Sequence, residues 1–236
     1  MRIPLVALVF ALTVAHGAAQ ETADSPRTRA ARQAMVDLIA RRGVSHPATL
    51  TAMRSVRRPE FVPERYRARA YGDHPLPIGL GKTISQPYIV AYMTEVLRPT
   101  PDMKILEVGT GSGYQAAVLG AIGARVYTME IFGELAASAR ARLQRLGYDS
   151  VTVRHGDGHF GWPEQAPFDA IIVTAAAGYI PPALIEQLKP GGRMVIPVGS
   201  VYGVQYLILV EKRPDGEIRT RNLLPVRFVP MLKGLR

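Results

Sequence analysis

The chain has 236 residues, 47% of them hydrophobic, so it can bury a sizeable core and form one α/β domain with an added segment. It contains no cysteine, which excludes disulfide bonds, thiolate metal sites and a cysteine nucleophile. Its formal net charge is +10, but the basic residues are scattered, with a mild excess over residues 27–69 and no basic run interleaved with aromatic residues. We therefore interpret the charge as solvated helix faces rather than as a nucleic-acid-binding surface.

The first residues have the order of a secretory signal. Arg2 precedes an apolar stretch over residues 3–15, and small residues follow at positions 17–19. The apolar stretch is too short for a membrane-spanning helix. We predict that residues 1–19 form a signal-peptide-like segment that directs export to the periplasm. The alternative is a start codon assigned too far upstream, with translation beginning near Met35.

The next part of the chain is predicted to be mostly helical. Residues 20–33 are polar and arginine-rich, and we expect a loose lead-in there. A helical pattern follows, interrupted at "SHPAT" and "RRPEFVPE". Another helix is predicted after "GKTIS", with Ser85 as its N-cap and a proline in its first turn. We expect residues 34–100 to form an N-terminal helical segment and residues 101–236 the main unit.

Beyond residue 101, short apolar runs alternate with helical patterns that end at glycine or proline. Strands are predicted at residues 104–108, 125–130, 151–154 and 169–176, and at "MVIPV", "VQYLILVEK" and "IRTRNLL". Helices are predicted at "YQAAVLGAIG", around residues 135–146 and at "PPALIEQL", and "KPGGR" is predicted to be a turn. The last two strands are expected to form an antiparallel hairpin at the sheet edge. The alternation predicts an α/β, Rossmann-like fold: a mostly parallel sheet with helices on both faces.

A glycine-rich stretch, "EVGTGSG", lies where the first strand of this unit meets its first helix. Glycines there let the backbone approach a ligand closely, and the helix N-terminus offers free N–H groups. The dinucleotide fingerprint needs glycine at positions 109, 111 and 114, but this chain has Tyr114. The stretch is therefore neither a P-loop nor a clean NAD site.

Acidic residues follow at the ends of the next two predicted strands. Glu130 ends the second strand, at the distance at which such folds place an acid on ribose hydroxyls, and Asp157 follows the third. Carboxyl ends of parallel strands share one edge of a sheet, so Glu107, the glycine stretch and these two acids are expected to converge. This order favours a ligand that contains adenosine.

These motifs resemble those of a known family. "EVGTGSG" and the later acids are similar to the S-adenosylmethionine site of the seven-stranded methyltransferases. With the segments "FVPERYRARAYGDHPLPIGLGKTISQPYIVAYM", "GDGHFGWPEQAPFDAIIVTAAA", "QLKPGGRMVIPVG" and "LPVRFVPM", the chain resembles the protein-L-isoaspartate O-methyltransferase family from about residue 33 to its end. Lys82 departs from the bacterial pattern, which usually has glutamine there. The export-like leader is a second departure, because family members normally work in the cytoplasm.

The resemblance implies a seven-stranded methyltransferase sheet and a reaction. S-adenosyl-L-methionine is implied as the methyl donor, and the free carboxylate of L-isoaspartyl residues in damaged proteins as the acceptor, with repair proceeding through a succinimide. No metal is implied, because a carboxylate is already ionised at neutral pH and the sulfonium donor carries its own charge. The implied partners are isoaspartyl-containing proteins and peptides, with no nucleic acid and no membrane for the mature form, and we expect a monomer.

The resemblance also implies roles for individual residues. Ser85 is the implied catalytic residue, and it acts as a positioner rather than a nucleophile because no His–Asp pair is placed to activate it. The implied cofactor-binding residues are Thr83, Ile84, Ser85, Glu107, Gly109, Thr110, Gly111, Glu130, Asp157 and Gly158. The implied substrate-binding residues are Ser85, Val226, Phe228 and Val229. Lys82 is a candidate for drawing the substrate carboxylate inward.

Other functions remain open at this point. His155, Asp157 and His159 alternate along the chain and form a conceivable metal site. A nucleic-acid methyltransferase is disfavoured, because a cytosine-C5 enzyme needs a cysteine and "TAAAGYIPP" has no polar side chain to hold an exocyclic amine. A non-catalytic exported peptide-binding relative and a methyltransferase with another acceptor are the remaining hypotheses.

Overall fold

A computed structural model describes residues 25–200 and 202–234. The predicted signal segment, residues 1–19, lies outside the described residues. The helices are α1 (Pro26–Arg41), α2 (Pro47–Ser55), α3 (Pro87–Leu97), α4 (Tyr114–Ala121), α5 (Gly133–Arg145) and α6 (Pro182–Gln187). The strands are β1 (Leu76–Gly79), β2 (Lys82–Ile84), β3 (Lys104–Val108), β4 (Arg125–Glu130), β5 (Val151–His155), β6 (Phe168–Val173), β7 (Leu188–Val198), β8 (Gln205–Lys212) and β9 (Ile218–Val226).

Seven of these strands form one sheet in the order β5-β4-β3-β6-β7-β8-β9. Neighbouring strands from β5 to β7 are parallel, whereas β8 is antiparallel to both β7 and β9. The predicted mostly parallel sheet and its antiparallel hairpin at the edge are therefore confirmed. The central strands β3 and β6 are buried on both faces, apart from the half-buried Lys104 and Asp169 near their starts, because helices cover each face of the sheet.

The strand order reverses at β3. From β3 the chain passes through α4 to β4 on one side, then continues to β5, and later returns to β6 on the other side of β3. In open α/β sheets, ligands bind beyond the carboxyl ends of the strands at such a reversal. The loop over residues 109–113 follows β3 at this point, so the glycine stretch lies where the topology predicts a ligand.

The helices α1 and α2 pack against the sheet unit through a shared core. Met35 and Phe61 belong to the same buried cluster as Tyr114 and Leu143, which come from α4 and α5. The ring centroids of Phe61 and Tyr114 are 5.5 Å apart. The tyrosine that breaks the dinucleotide fingerprint is thus a core residue that joins the N-terminal helices to α4.

The predicted loose lead-in over residues 20–33 is wrong from residue 26 onward. Helix α1 begins at Pro26, and the hydroxyl of Ser25 accepts a hydrogen bond from the N–H of Thr28 at 3.2 Å. The apolar periodicity that signals a helix is absent there because the buried residues of α1 are confined to its later turns, at Met35, Val36 and Ile39. Arginine and alanine nevertheless have high helix propensity, so the first turns extend the helix into solvent.

The "KPGGR" segment is also different from its prediction. Residues 189–193 belong to β7 and not to a separate turn. The pairing of β7 with β6 shifts there, because Phe168 lies opposite Leu188 whereas Ala170 lies opposite Arg193. The segment is therefore an irregularity within a paired strand, and Gly191, with φ of 82°, supplies the left-handed backbone it needs. Among the helices of the described residues, none is long and apolar enough to cross a membrane.

Candidate active site

Two cavities lie at the carboxyl edge of the sheet. The inner cavity is enclosed by the ends of β3, β4 and β6, the hairpin β1–β2 and the chain at residues 229–232. The outer groove is bounded on one side by Thr83, Ser85, Gln86 and Ile89, and on the other by residues 225–229. Four residues line both spaces: Thr83, Ser85, Thr174 and Val229. We call the place where these four residues lie the junction.

The glycine loop forms the floor of the inner cavity. Gly109 has φ of 102°, and a Cβ atom there would lie 2.4 Å from the hydroxyl oxygen of Thr174. That hydroxyl donates a hydrogen bond to the carbonyl of Gly109 at 2.7 Å, which joins the loop after β3 to the loop after β6. Gly158 is equally restricted, since a Cβ atom there would lie 2.2 Å from Val108. These two glycines are therefore required by close packing around the cavity.

Glu130 holds the glycine loop from the end of β4. Its carboxylate accepts hydrogen bonds from the N–H of Gly111 at 2.8 Å and from the N–H of Phe132 at 3.1 Å. Gly111 and Phe132 also line the inner cavity. The structure thus brings Glu130, Gly109, Thr110 and Gly111 together, as the sequence predicts.

Glu107 lies deeper in the same wall and is fully buried. Burial raises the pKa of its carboxyl group from an ordinary value of 4.5 to about 8; the hydrogen bond from Thr128 opposes this rise and the nearby charge of Glu130 adds to it. The hydroxyls of Thr110 and Thr128 are 2.6 Å apart, and Thr128 donates to Oε2 of Glu107. Oε1 has no hydrogen-bond partner among residues 25–200 and 202–234. The inner cavity therefore has a neutral carboxyl group at its wall at neutral pH, with one oxygen unpaired.

Asp157 lies between two residues that line the inner cavity, and its predicted contact with the cofactor stays a prediction. Its carboxylate accepts hydrogen bonds from the backbone N–H of His159 at 2.9 Å and from the N–H of Gly234 at 3.2 Å. Gly156 and Gly158 line the inner cavity, whereas Asp157 does not. Burial alone would raise the pKa of Asp157, but the hydrogen bonds from His159 and Gly234 outweigh it and keep the pKa below its ordinary value of 3.8. The side chain here serves the turn and the C-terminal chain.

The alternating histidines do not converge. A ring nitrogen of His155 lies 3.1 Å from the carbonyl of Ile131, whereas His159 pairs with Asp157 at 2.9 Å. Within the described ranges, no group of three or more His, Cys, Asp or Glu side chains is arranged to hold a metal ion.

Ser85 occupies the junction, but it is not the N-cap of α3. The helix begins at Pro87, which puts Gln86 at the N-cap position, and the predicted cap at Ser85 is therefore wrong by one residue. Asp73 supplies the cap instead, because its carboxylate accepts from the N–H of Tyr88 at 2.9 Å. No hydrogen bond to the Ser85 hydroxyl is formed within the part of the chain that the structure describes, so this group is available to a ligand. Thr83 and Ile84 lie beside it in the wall of the inner cavity.

A buried arginine fixes the segment that carries Ser85. Arg58 is inaccessible to solvent, and its guanidinium donates to the carbonyl of Ala70 at 2.8 Å and to the carbonyl of Ser85 at 2.7 Å. It lies 4.8 Å from the centroid of the Tyr114 ring. Burial lowers the pKa of Arg58, and the interactions with Tyr114 and Asp73 partly offset that shift. One side chain therefore ties both ends of the segment over residues 70–85.

The far wall of the outer groove is formed by the end of β9 and the chain that follows it. Val226, Phe228 and Val229, the residues that the resemblance implies bind substrate, all line this groove. The carbonyl of Val229 accepts from the N–H of Ala176 at 2.8 Å, which attaches this wall to the loop after β6. Lys82 lies elsewhere: it lines the inner cavity but not the groove, with its ammonium 5.2 Å from the ring centroid of Phe132. The expectation that Lys82 draws the substrate carboxylate inward therefore has no support from its position.

Sequence reasoning did not identify Arg58, Asp73 and Thr174. Each acts on the backbone of a residue far away in sequence, and a charged residue beside apolar ones in "VRRPEFV" was the only available signal for Arg58.

Comparison with protein families agrees with this site. Residues 30–236 match the model of the family described as protein-L-isoaspartate(D-aspartate) O-methyltransferase. The chain is 58% identical over 208 residues to protein-L-isoaspartate O-methyltransferase 1 of Nitrosospira multiformis, covering 87% of this chain and 88% of the relative. It is 54% identical over 237 residues to protein-L-isoaspartate O-methyltransferase 2 of Syntrophobacter fumaroxidans, covering 96% of each chain.

Solved structures give the same result. A protein-L-isoaspartate O-methyltransferase superposes with a TM-score of 0.77 at 30% identity, covering 86% of this chain and 66% of the other. A protein from Plasmodium falciparum, described as a putative protein-L-isoaspartate O-methyltransferase in complex with S-adenosyl-L-homocysteine, has a TM-score of 0.75 at 25% identity, covering 86% of this chain and 99% of the other.

Proposed function

This chain belongs to the protein-L-isoaspartate(D-aspartate) O-methyltransferase family, and on that premise we propose the reaction that its two cavities carry out. The enzyme transfers a methyl group from S-adenosyl-L-methionine to the free carboxylate of L-isoaspartyl residues in damaged proteins and so begins their repair through a succinimide. The observation that carries this proposal is the junction, where the cavity built on the glycine loop and the groove bounded by residues 225–229 share four lining residues.

The residues of the inner cavity fit the methyl donor. Two carboxyl groups, of Glu107 and Glu130, belong to its wall, and their oxygens can accept hydrogen bonds from the hydroxyl and amino groups of the donor. The glycines at positions 109, 111 and 158 let the ligand approach the backbone. When it is bound, S-adenosylmethionine supplies an electrophilic methyl group on a sulfonium centre. We assign Glu130 to the ribose, and Glu107 with the glycine loop to the amino-acid end.

The outer groove binds the peptide that carries the acceptor carboxylate. A carboxylate is ionised at neutral pH, so the chain needs no general base to activate it. The unpaired hydroxyl of Ser85 donates a hydrogen bond that holds the acceptor at the junction, and Thr83 and Val229 form the walls beside it. Catalysis then consists of aligning the reacting groups and excluding water, and the apolar side chains of Ile78 and Ile84 in the hairpin contribute to that exclusion.

A labelling experiment tests the reaction and its specificity together. The purified chain is incubated with radiolabelled S-adenosylmethionine and two peptides that differ only in an isoaspartyl or an aspartyl linkage, and base-labile methyl ester is counted as volatile methanol. We expect label on the isoaspartyl peptide alone. Label on both peptides would indicate another acceptor. Absence of label, together with absence of S-adenosylhomocysteine binding in calorimetry, would favour the non-catalytic peptide binder.

We also propose that residues 1–19 direct the enzyme to the periplasm, where it acts as a monomer. The basic start, apolar middle and small residues before Gln20 support the export signal. Protein recovered from the periplasmic fraction should begin at Gln20 on N-terminal sequencing. Recovery of an intact N-terminus from the cytoplasm alone would contradict this proposal.

A further inference from the structure

A buried glutamine holds the far wall of the outer groove. Gln205, at the start of β8, is 2% exposed. Its side-chain oxygen accepts a hydrogen bond from the N–H of Phe228 at 2.6 Å, and its side-chain nitrogen donates to the carbonyl of the same residue at 3.2 Å. The amide of one side chain thus satisfies both backbone groups of one groove residue, as a neighbouring strand would.

This part of the chain has no strand partner of its own. The pairing of β8 with β9 ends at Gln205 and Val226. Beyond that pair the chain is irregular, and its next backbone attachment is the bond between Ala176 and Val229. Gln205 therefore bridges the interval between the end of the sheet and the junction, and it does so at Phe228, in the middle of the groove wall.

We propose that Gln205 is a positioning residue for the peptide substrate, an inference that rests on the proposed function. Gln205 lines neither the inner cavity nor the outer groove, so it acts through Phe228 and not by contact with substrate. By fixing Phe228, it keeps the wall of residues 226–229 in the bound shape before the peptide arrives. A wall ordered in advance loses less conformational entropy on binding, so this effect belongs to peptide affinity rather than to the chemical step.

The chain contains a matched control. Gln187, at the end of α6, is 8% exposed and forms the same kind of double contact, accepting from the N–H of Trp162 at 2.8 Å and donating to the carbonyl of Phe160 at 2.9 Å. Neither Phe160 nor Trp162 lines the inner cavity or the outer groove. Replacing each glutamine by leucine removes equivalent hydrogen bonds, but only Gln205→Leu removes hydrogen bonds to a residue of the groove wall, Phe228.

The test compares kinetics and binding in three variants. For Gln205→Leu we expect the KM for an isoaspartyl peptide to rise about tenfold, a change of about 1.4 kcal/mol, with a much smaller change in kcat. The affinity for S-adenosylhomocysteine should stay within about twofold, because the contact lies outside the inner cavity. Gln187→Leu should lower the melting temperature and leave the peptide KM within about twofold. Gln205→Glu keeps the acceptor for the N–H of Phe228 but loses the amide donor, so its peptide KM should lie between those of wild type and Gln205→Leu. If Gln205→Leu does not fold, the peptide KM of Gln205→Glu tests the proposal.

Two results would overturn the proposal. One is an unchanged peptide KM in the folded Gln205 variants. The other is an equal rise in KM for Gln187→Leu, which would show a general effect of stability. Peptide affinity is also measured by calorimetry with S-adenosylhomocysteine present. If wild type binds the isoaspartyl peptide but does not methylate it, the proposed reaction fails while the role of Gln205 is still decided by the binding constants.

Discussion

The inner cavity and the outer groove are built in different ways. The floor of the inner cavity comes from one continuous stretch, β3, the glycine loop and the start of α4, with Glu130 from the next strand holding the loop. The walls of the groove come from Ser85 and from the chain around Phe228, which are distant in sequence. A buried side chain bonds to the backbone of each wall, Arg58 to Ser85 on one side and Gln205 to Phe228 on the other.

This difference indicates how each space responds to change. The inner cavity depends on tight backbone packing, in which an added methyl group has no room. The groove depends on individual hydrogen bonds that buried side chains donate to backbone carbonyls or accept from backbone N–H groups. We therefore expect substitutions of glycine to affect the cofactor most, and substitutions of the buried polar side chains to affect the peptide most.

The largest effect is expected for Gly109→Ala in the inner cavity. The new Cβ atom would lie 2.4 Å from the Thr174 hydroxyl, on a backbone with φ of 102°. Strain of about 1–3 kcal/mol and loss of the Thr174 contact together predict at least a 100-fold weaker affinity for S-adenosylhomocysteine, measured by calorimetry. Gly79→Ala is the control, because Gly79 has φ of 104° and a Cβ atom added there would meet no other atom within 4 Å. Equal losses in both variants would contradict crowding at Thr174 as the cause.

A smaller effect is expected for Arg58→Lys, on the groove side. Lysine keeps the charge but lacks the fork that joins the carbonyls of Ala70 and Ser85. We expect kcat/KM for the isoaspartyl peptide to fall about tenfold, or about 1.4 kcal/mol. In a Ser85→Ala background the same change should cost less than about threefold, because Arg58 acts through Ser85.

The matched control for Arg58→Lys is Arg142→Lys. Arg142 donates to the carbonyl of Ser112, in the glycine loop, at 2.9 Å. Its replacement should weaken binding of S-adenosylhomocysteine and leave the peptide KM within about twofold. Full additivity of Arg58→Lys with Ser85→Ala, or the same kinetic profile for both arginine variants, would show that the two spaces are not fixed separately.

The last effect, for Glu107→Gln, is on stability rather than on ligand affinity, and it depends on pH. Below pH 4.5 the carboxyl is protonated in both the folded and the unfolded chain; between 4.5 and about 8 it is ionised only in the unfolded chain. The free energy of unfolding of wild type should therefore fall as pH rises through this window, by up to about 1.4 kcal/mol per pH unit. The glutamine side chain introduced by Glu107→Gln does not ionise, so the stability of the variant should not fall in this window, and its advantage over wild type should grow from pH 5 to pH 8. Denaturant unfolding at pH 5, 6.5 and 8 measures both profiles, and parallel profiles would contradict a buried neutral Glu107.

Much of the fold and of the inner cavity was predictable from sequence. The central strands are recognisable in the sequence as mainly apolar runs, because both faces of the sheet are covered. Glycine and proline mark the ends of these runs. Glu107, Gly109, Gly111 and Glu130 could be placed together because parallel strands end at one edge of the sheet. These features depend on residues close in sequence or on a rule of topology, so a local pattern is enough to predict them.

The remaining features were decided by contacts between distant residues. The carboxylate of Asp157 accepts hydrogen bonds from the N–H groups of His159 and Gly234, which the sequence pattern did not predict. The cap of α3 comes from Asp73 rather than from Ser85, because the fold brings that carboxylate to the helix N-terminus. Gln205 and Gln187 are identical in chemistry. Only the tertiary structure decides that Gln205 bonds to a residue of the groove wall and that Gln187 does not. A side chain that bonds to a distant backbone leaves no periodic pattern in the sequence, so its partner is determined only when the whole chain has packed.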